Sequence, residues 1–186
     1  DFLRDRTLQA RVAGVCCDPG TPSAGVPQGS PLSPLLFITY TADLLMELSS
    51  YQDVTVLAYA DDLTLGANGS TVTSASVKLQ SALFHVENWA LLWQQKFNAL
   101  KSQCLLFSKT QRPVHLSVFG AAVPQVTEMR ILGVIFDSWL MWNAHLRHVL
   151  QRAAIAEIDL SRICFQHHLS KPWRRLVYLA VVRPRF

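Results

Sequence analysis

Residues 57–65 read "LAYADDLTL". Two adjacent carboxylates, Asp61 and Asp62, interrupt an otherwise apolar run. Like charges side by side repel, and burying either one unpaired forces protonation or a large desolvation cost. The pair therefore belongs in water on a turn, or beside a cation. Its flanks decide the local structure. "DVTVLAY" (53–59) and "LTLGA" (63–67) read as two strands, which places "ADD" at the tip of a hairpin.

Two carboxylates at an exposed tip suit a hard divalent cation. Mg²⁺ prefers oxygen ligands, keeps several waters, and is held by one or two carboxylates plus substrate phosphates. Two such ions about 3.5–4 Å apart activate an attacking hydroxyl and stabilise the leaving group in phosphoryl transfer. A solvated turn is the plain alternative, because Asp favours turns for its own reasons. A second segment shifts the balance. "AGVPQGSPLSPLLF" (24–37) sets Gln28 33 residues before Asp61. Its glycines and prolines define a tight path, Gln28 offers an amide, and the helix that follows turns its N-terminus toward the loop, a place that favours phosphate.

The 186 residues are half hydrophobic, with five Trp and nine Phe, which predicts a sizeable core and excludes a disordered chain. Net charge is +4, unevenly spread. Residues 1–100 hold 5 Lys/Arg against 9 Asp/Glu, whereas residues 101–186 hold 12 against 4. A basic C-terminal part points to a polyanion, with nucleic acid foremost; a basic solvated face is the bland reading. Cys16, Cys17, Cys104 and Cys164 have no metal-ligand spacing and read as reduced thiols of an intracellular protein, nuclear or cytoplasmic. There is no signal peptide and no 18-residue apolar run, so no membrane partner is expected. Asp1 at the start and "VVRPRF" at the end lead us to expect a piece of something longer.

Along the chain, 7–15 reads as a strand and 18–34 as loop. Residues 35–48 are apolar at helical spacing, with Ser33–Pro34 or Ser30–Pro31 as the start. A long amphipathic helix is expected over 75–97, with Leu79, Leu83, Val86, Ala90, Trp93 and Phe97 as its stripe. Residues 103–108 read as a short strand, 114–126 as a hairpin turning near Gly120, and 130–137 as another strand. A helix runs on from about Trp142, and a last one starts at Ser170 and stops before Pro184.

Taken together, these segments resemble the reverse transcriptases of non-LTR (LINE-type) retrotransposons. The matching stretches are "FLRDR" (2–6), "GVPQGSPLSPLLF" (25–37), "YADD" (59–62), "WALLWQQKFNALKSQCLLFS" (89–108), "ILGVIFD" (131–137), "WNAHLRHVLQRA" (142–153) and "LVYLAVVRP" (176–184). The resemblance implies an α+β right-hand polymerase, with an antiparallel palm sheet and packed helices over 1–140 and a helical thumb over 141–186. The fingers, and an upstream palm strand carrying a further Asp, would precede Asp1; Asp1, Asp5 and Asp18 lie in the wrong context to replace it. It implies RNA-directed DNA synthesis with an RNA template, a DNA primer and dNTPs as partners and Mg²⁺ as cofactor, two ions in the complete enzyme. Asp61 and Asp62 would hold the metal. Tyr59, Ala60, Gln28, Gly29 and Lys101 would border nucleotide or template. Leu132 and Gly133 would support the primer. Arg147, Arg152, Arg162, Arg174 and Arg175 would meet backbone phosphates. With one carboxylate missing, the chain alone is expected to be inactive.

Other residues receive plainer readings. Trp89 and Trp93 are expected in the core, Asp43 and Glu47 on a solvated face, and Ser30 and Ser33 as caps. A zinc site drawn from His145, His148, His167, His168 and Cys164 lacks ligand spacing. The competing functions are a catalytically inactive RNA-binding remnant and a Mg²⁺ nuclease.

Overall fold

The computed structural model describes residues 2–22, 24–108, 112–166 and 168–183. Asp1, His167 and Pro184 lie outside that set. The chain forms two compact units, Asp1–Lys96 and Phe97–Phe186, each described by itself.

The first unit opens with β1 (Arg11–Val12) and β2 (Val15–Cys16), a short hairpin where the sequence predicts one strand. The turn at Ala13–Gly14 takes φ of 50° and 86°, and two left-handed residues reverse the chain. Helix α1 (Leu32–Ser49) follows. It begins at the earlier of the two expected starts: the Leu32 N–H donates to Ser30 Oγ at 3.3 Å, and the Ser33 N–H donates to the Ser30 carbonyl at 3.2 Å. Leu44 and Leu48 are buried, but Leu35 and Ile38 are open to solvent. Strands β3 (Val54–Tyr59) and β4 (Asp62–Ala67) then pair antiparallel along their full length, from Val54↔Ala67 to Tyr59↔Asp62.

Helix α2 (Val72–Leu92) is capped by Thr71, whose hydroxyl accepts the Ser74 N–H at 3.0 Å. It ends earlier than predicted because Gln94 turns left-handed, with φ of 56°. Its buried face is Ala82, Val86, Trp89 and Ala90. Of the predicted stripe only Val86 and Ala90 are fully buried; Trp93 is exposed and Phe97 lies beyond the helix. Helix α1 lies against β3 and α2 against β4, which makes a two-layer unit.

The second unit is assembled from small pieces. β5 (Cys104–Leu105) pairs parallel with β8 (Gln125–Val126), and β6 (Ser117–Val118) pairs antiparallel with β7 (Ala121–Ala122) around the expected turn at Gly120. Residues 130–137 are not one strand but the larger part of a hairpin. β9 (Glu128–Ile131) and β10 (Val134–Asp137) turn at Leu132–Gly133, where φ is 47° and 92°. Helix α3 (Asn143–Gln166) and helix α4 (Lys171–Val177) complete it, α4 starting from Ser170 and running into a π-helical turn, Tyr178–Val182. No helix is long and apolar enough to cross a membrane among the described residues.

The result is a mixed α and β chain with five two-stranded sheets among the described residues. The sizeable core that composition predicts is split and thin. The first unit centres on Leu44, Leu48, Val86 and Trp89, the second on Leu116, Val118, Val123 and Ala144. A two-stranded sheet covered by helices on one face leaves the other face open.

Candidate active site

The acidic pair sits at the expected place. Strand pairing closes at Tyr59↔Asp62 and leaves a two-residue turn, Ala60–Asp61. Ala60 takes φ of 52°, a left-handed conformation that costs a non-glycine residue about 1 kcal/mol. The hairpins at Ala13–Gly14, Phe119–Gly120 and Leu132–Gly133 all put glycine second, with both φ positive. At Ala60–Asp61 a carboxylate takes that second position. Strain held at a tip that carries two charges is the kind that functional sites retain.

Side-chain alternation sets the faces. Val54 and Val56 are half-buried toward the helices, whereas Leu57 and Tyr59 are exposed on the opposite side. Directly paired residues share a face, so Tyr59 and Asp62 stand together on the open one. Asp61 and Asp62 are both exposed, and no hydrogen bond or ion pair reaches either carboxylate among the described residues. The open end of the hairpin is anchored by Lys78 of α2, which pairs with Asp53 at 2.7 Å and donates to the Asn68 carbonyl at 3.0 Å.

Gln28 and Gly29 form a tight turn ahead of α1, both exposed, Gly29 with φ of 88°. Ser33, read from sequence as a cap, has another role. It is buried, and its Oγ donates to the Pro27 carbonyl at 2.5 Å, tying the Gln28–Gly29 loop to the first turn of α1. A Ser-Pro pair signals a helix start equally well, so sequence reasoning missed this tie.

The expected solvated face of Asp43 and Glu47 is corrected in the same unit. Asp43 Oδ1 accepts the Trp89 indole N–H at 3.0 Å, and Glu47 pairs with the His85 ring. Both carboxylates link α1 to α2, because helices that pack bring their polar margins within reach. Tyr40 extends the join: its hydroxyl donates to the Trp93 carbonyl at 2.6 Å, and its ring meets Trp89 and Trp93 edge-on. Trp89 is core as expected; Trp93, expected there too, is exposed.

The remaining candidates fall in the second unit. Lys101 ends a short 3-10 turn, Ala99–Lys101, capped by Asn98, and is exposed without an ion-pair partner among the described residues. Leu132 and Gly133 are the exposed turn of the β9–β10 hairpin. Arg147, Arg152 and Arg162 line α3, all exposed. At about 100° per residue they share an arc of about 140°. Arg174 and Arg175 are exposed on α4, and Arg174 Nε donates to the Leu169 carbonyl at 2.7 Å.

Asp137, which sequence reasoning passed over, organises the exit from β10. Its carboxylate accepts the N–H groups of Trp139 at 3.0 Å, Met141 at 2.9 Å and Trp142 at 2.8 Å. The Met141 amide leads in holding this carboxyl below its ordinary range, against an opposing desolvation effect. Ile135 N–H reaches His145 Nδ1 at 3.4 Å, linking β10 to α3. No cluster of three or more His, Cys, Asp or Glu suited to a metal occurs among the described residues, a set that leaves out His167. The four cysteines are free.

The oxygen-only pair at Asp61–Asp62 fits a hard cation by its chemistry: two adjacent, solvent-facing carboxylates without internal partners. The first unit thus displays the pair on a strained hairpin turn and also holds the glycine turn that opens α1. The family comparison gives the class a name. The profile of "Reverse transcriptase (RNA-dependent DNA polymerase)" matches residues 8–136, and the chain belongs to that family, on its non-LTR side. It is 31% identical over 158 residues to the "Probable RNA-directed DNA polymerase from transposon BS" of Drosophila melanogaster, covering 81% of this chain and 17% of that protein. It is 27% identical over 191 residues to the "RNA-directed DNA polymerase from mobile element jockey" of the same fly, covering 98% and 21%. It is 28% identical over 153 residues to the "Probable RNA-directed DNA polymerase from transposon X-element", covering 81% and 17%. The chain thus spans about a fifth of the length of these relatives.

Proposed function

We propose that this chain supplies the catalytic palm, over 1–140, and the start of the thumb, over 141–186, of a reverse transcriptase that extends a DNA primer on an RNA template with dNTPs. The observation that carries this reading is the pair Asp61–Asp62, without partners among the described residues, on a strained turn. Asp61 and Asp62 hold Mg²⁺, which when bound neutralises phosphate charge and favours the attacking 3′-hydroxyl. Tyr59, on the same face as Asp62, and Ala60 border the primer end. Gln28 and Gly29, steadied through Ser33, contact nucleotide or template. Lys101 offsets triphosphate charge. Leu132 and Gly133 support the primer strand, and the five arginines of α3 and α4 meet backbone phosphate. Two carboxylates hold Mg²⁺ weakly, so a third belongs to the complete site, on a strand upstream in the parent polymerase. The inactive RNA-binding remnant is not favoured, because Asp61, Asp62, Gln28 and Lys101 all stand in place.

The test is Mg²⁺-dependent primer extension on an RNA template, after circular dichroism shows each protein folded. The chain alone is expected to extend nothing. With the upstream segment of the parent reading frame restored, extension appears and is lost in Asp61→Asn. Equal extension by wild type and Asp61→Asn removes the reading.

A further inference from the structure

The loop between β10 and α3 holds four consecutive large apolar residues, Trp139, Leu140, Met141 and Trp142, with exposures of 56, 46, 64 and 42%. A run of this kind on a polar surface is costly to solvate. It is also costly to build, because Leu140 and Trp142 both take left-handed backbone conformations, at φ of 54° and 63°. The chain nevertheless fixes it firmly. Asp137 gathers three of its amide N–H groups, the Leu140 N–H donates to the Asp137 carbonyl at 3.0 Å, and Ser138 is buried.

The two tryptophans behave differently. Trp142 lies against Phe136, ring centroids 5.3 Å apart, and its carbonyl accepts the Leu146 N–H at the start of α3. Trp139 has no ring contact among the described residues. Both indoles are exposed, but among the described residues only Trp142 is braced by another ring. The second unit as a whole is basic: residues 97–186 carry 12 Lys/Arg against 4 Asp/Glu, and Arg147, exposed and without an ion-pair partner among the described residues, follows in the second turn of α3. An exposed indole on a loop held by backbone hydrogen bonds, with the exposed cation Arg147 eight residues on, matches the chemistry of single-stranded nucleic acid, whose bases stack on aromatic faces while its phosphates meet cations.

We propose that Trp139 is a stacking platform for an unpaired base of a single nucleic-acid strand, with Arg147 meeting the adjoining phosphate. This rests on the nucleic-acid-binding part of the function proposed above. Stacking uses the base and not the sugar, so RNA and DNA strands are both accepted.

The experiment is fluorescence anisotropy of a labelled dT12 strand, and of the same strand with abasic sites, titrated with the full chain, Trp139→Phe and Trp139→Ala. Wild type is expected to bind dT12 with strong salt dependence. Trp139→Ala weakens that binding about tenfold. Trp139→Phe keeps most of it, and the abasic strand binds wild type and Trp139→Ala alike. Circular dichroism and sedimentation accompany each variant. A folded Trp139→Ala that binds dT12 as wild type does overturns the platform and leaves the polymerase reading standing. Failure of wild type to bind either strand overturns both. A wild-type dimer that Trp139→Ala dissociates, with dT12 affinity unchanged, assigns the patch to self-association instead.

Discussion

Single residues carry two kinds of charge here. Among the described residues Asp61 and Asp62 are left without partners, while Asp137 has its carboxylate engaged by the backbone. The difference predicts different pH behaviour. The folded-state pKa of Asp137 is lowered, chiefly by the Met141 amide. A carboxyl lowered on folding adds stability that is complete above its unfolded value, about 4, and is lost as pH falls through the lower folded value. Asp137→Asn is therefore expected to unfold at lower urea than wild type at pH 7. The gap closes as pH falls below about 4, as read from urea midpoints across a pH series. A gap that does not depend on pH sinks the argument. Of these residues, the acidic pair was legible in sequence, because two like charges in an apolar run need a local explanation. Asp137 was not, because an Asp closing a strand looks the same whether or not the next five residues fold back onto it.

At the scale of elements, the first unit depends on how α1 and α2 meet. Trp89 is buried, and its indole N–H depends on Asp43. Removing the carboxylate leaves a buried donor unsatisfied, which costs about 1–3 kcal/mol. Asp43→Ala is expected to lower the unfolding free energy by that amount in urea titrations. Asp43→Asn, which still offers an acceptor, should lose less. An Asp43→Ala variant as stable as wild type removes this tie. The α1 and α2 helices themselves were readable from apolar spacing, and α1 also from its Ser30–Pro31 start, whereas Thr71, which caps α2, lies ahead of the expected start at 75. Their ends were less so. α2 stops where Gln94 turns left-handed, although the apolar periodicity continues to Phe97. The same limit applied to 130–137, where an apolar run passes through Leu132–Gly133 and hides a turn that only backbone conformation reveals.

Over the whole molecule the charge is divided. Residues 1–100 carry an acidic excess and residues 101–186 a basic one, and the basic excess follows the exposed arginines of α3 and α4. Binding through phosphates releases counterions, so affinity for a nucleic-acid strand falls steeply with salt. Arg147→Ala and Arg152→Ala are each expected to lower the slope of log affinity against log salt by about 1. Equilibrium binding between about 50 and 200 mM salt measures this. An unchanged slope in both variants places the phosphate contacts elsewhere.

The acidic hairpin, the glycine turn before α1 and the apolar spacing of the helices were legible in the sequence alone. Each of these is written within a dozen or so neighbouring residues, where periodicity, turn chemistry and charge act locally. Tertiary structure alone decided that Asp43 meets Trp89, 46 residues away, that Glu47 meets His85, and that Ser33 secures the loop rather than capping the helix. It also decided that Trp142 lies against Phe136 while Trp139 meets no ring among the described residues. Those choices depend on which surfaces come together when helices and strands pack, and no local pattern encodes a partner that distant.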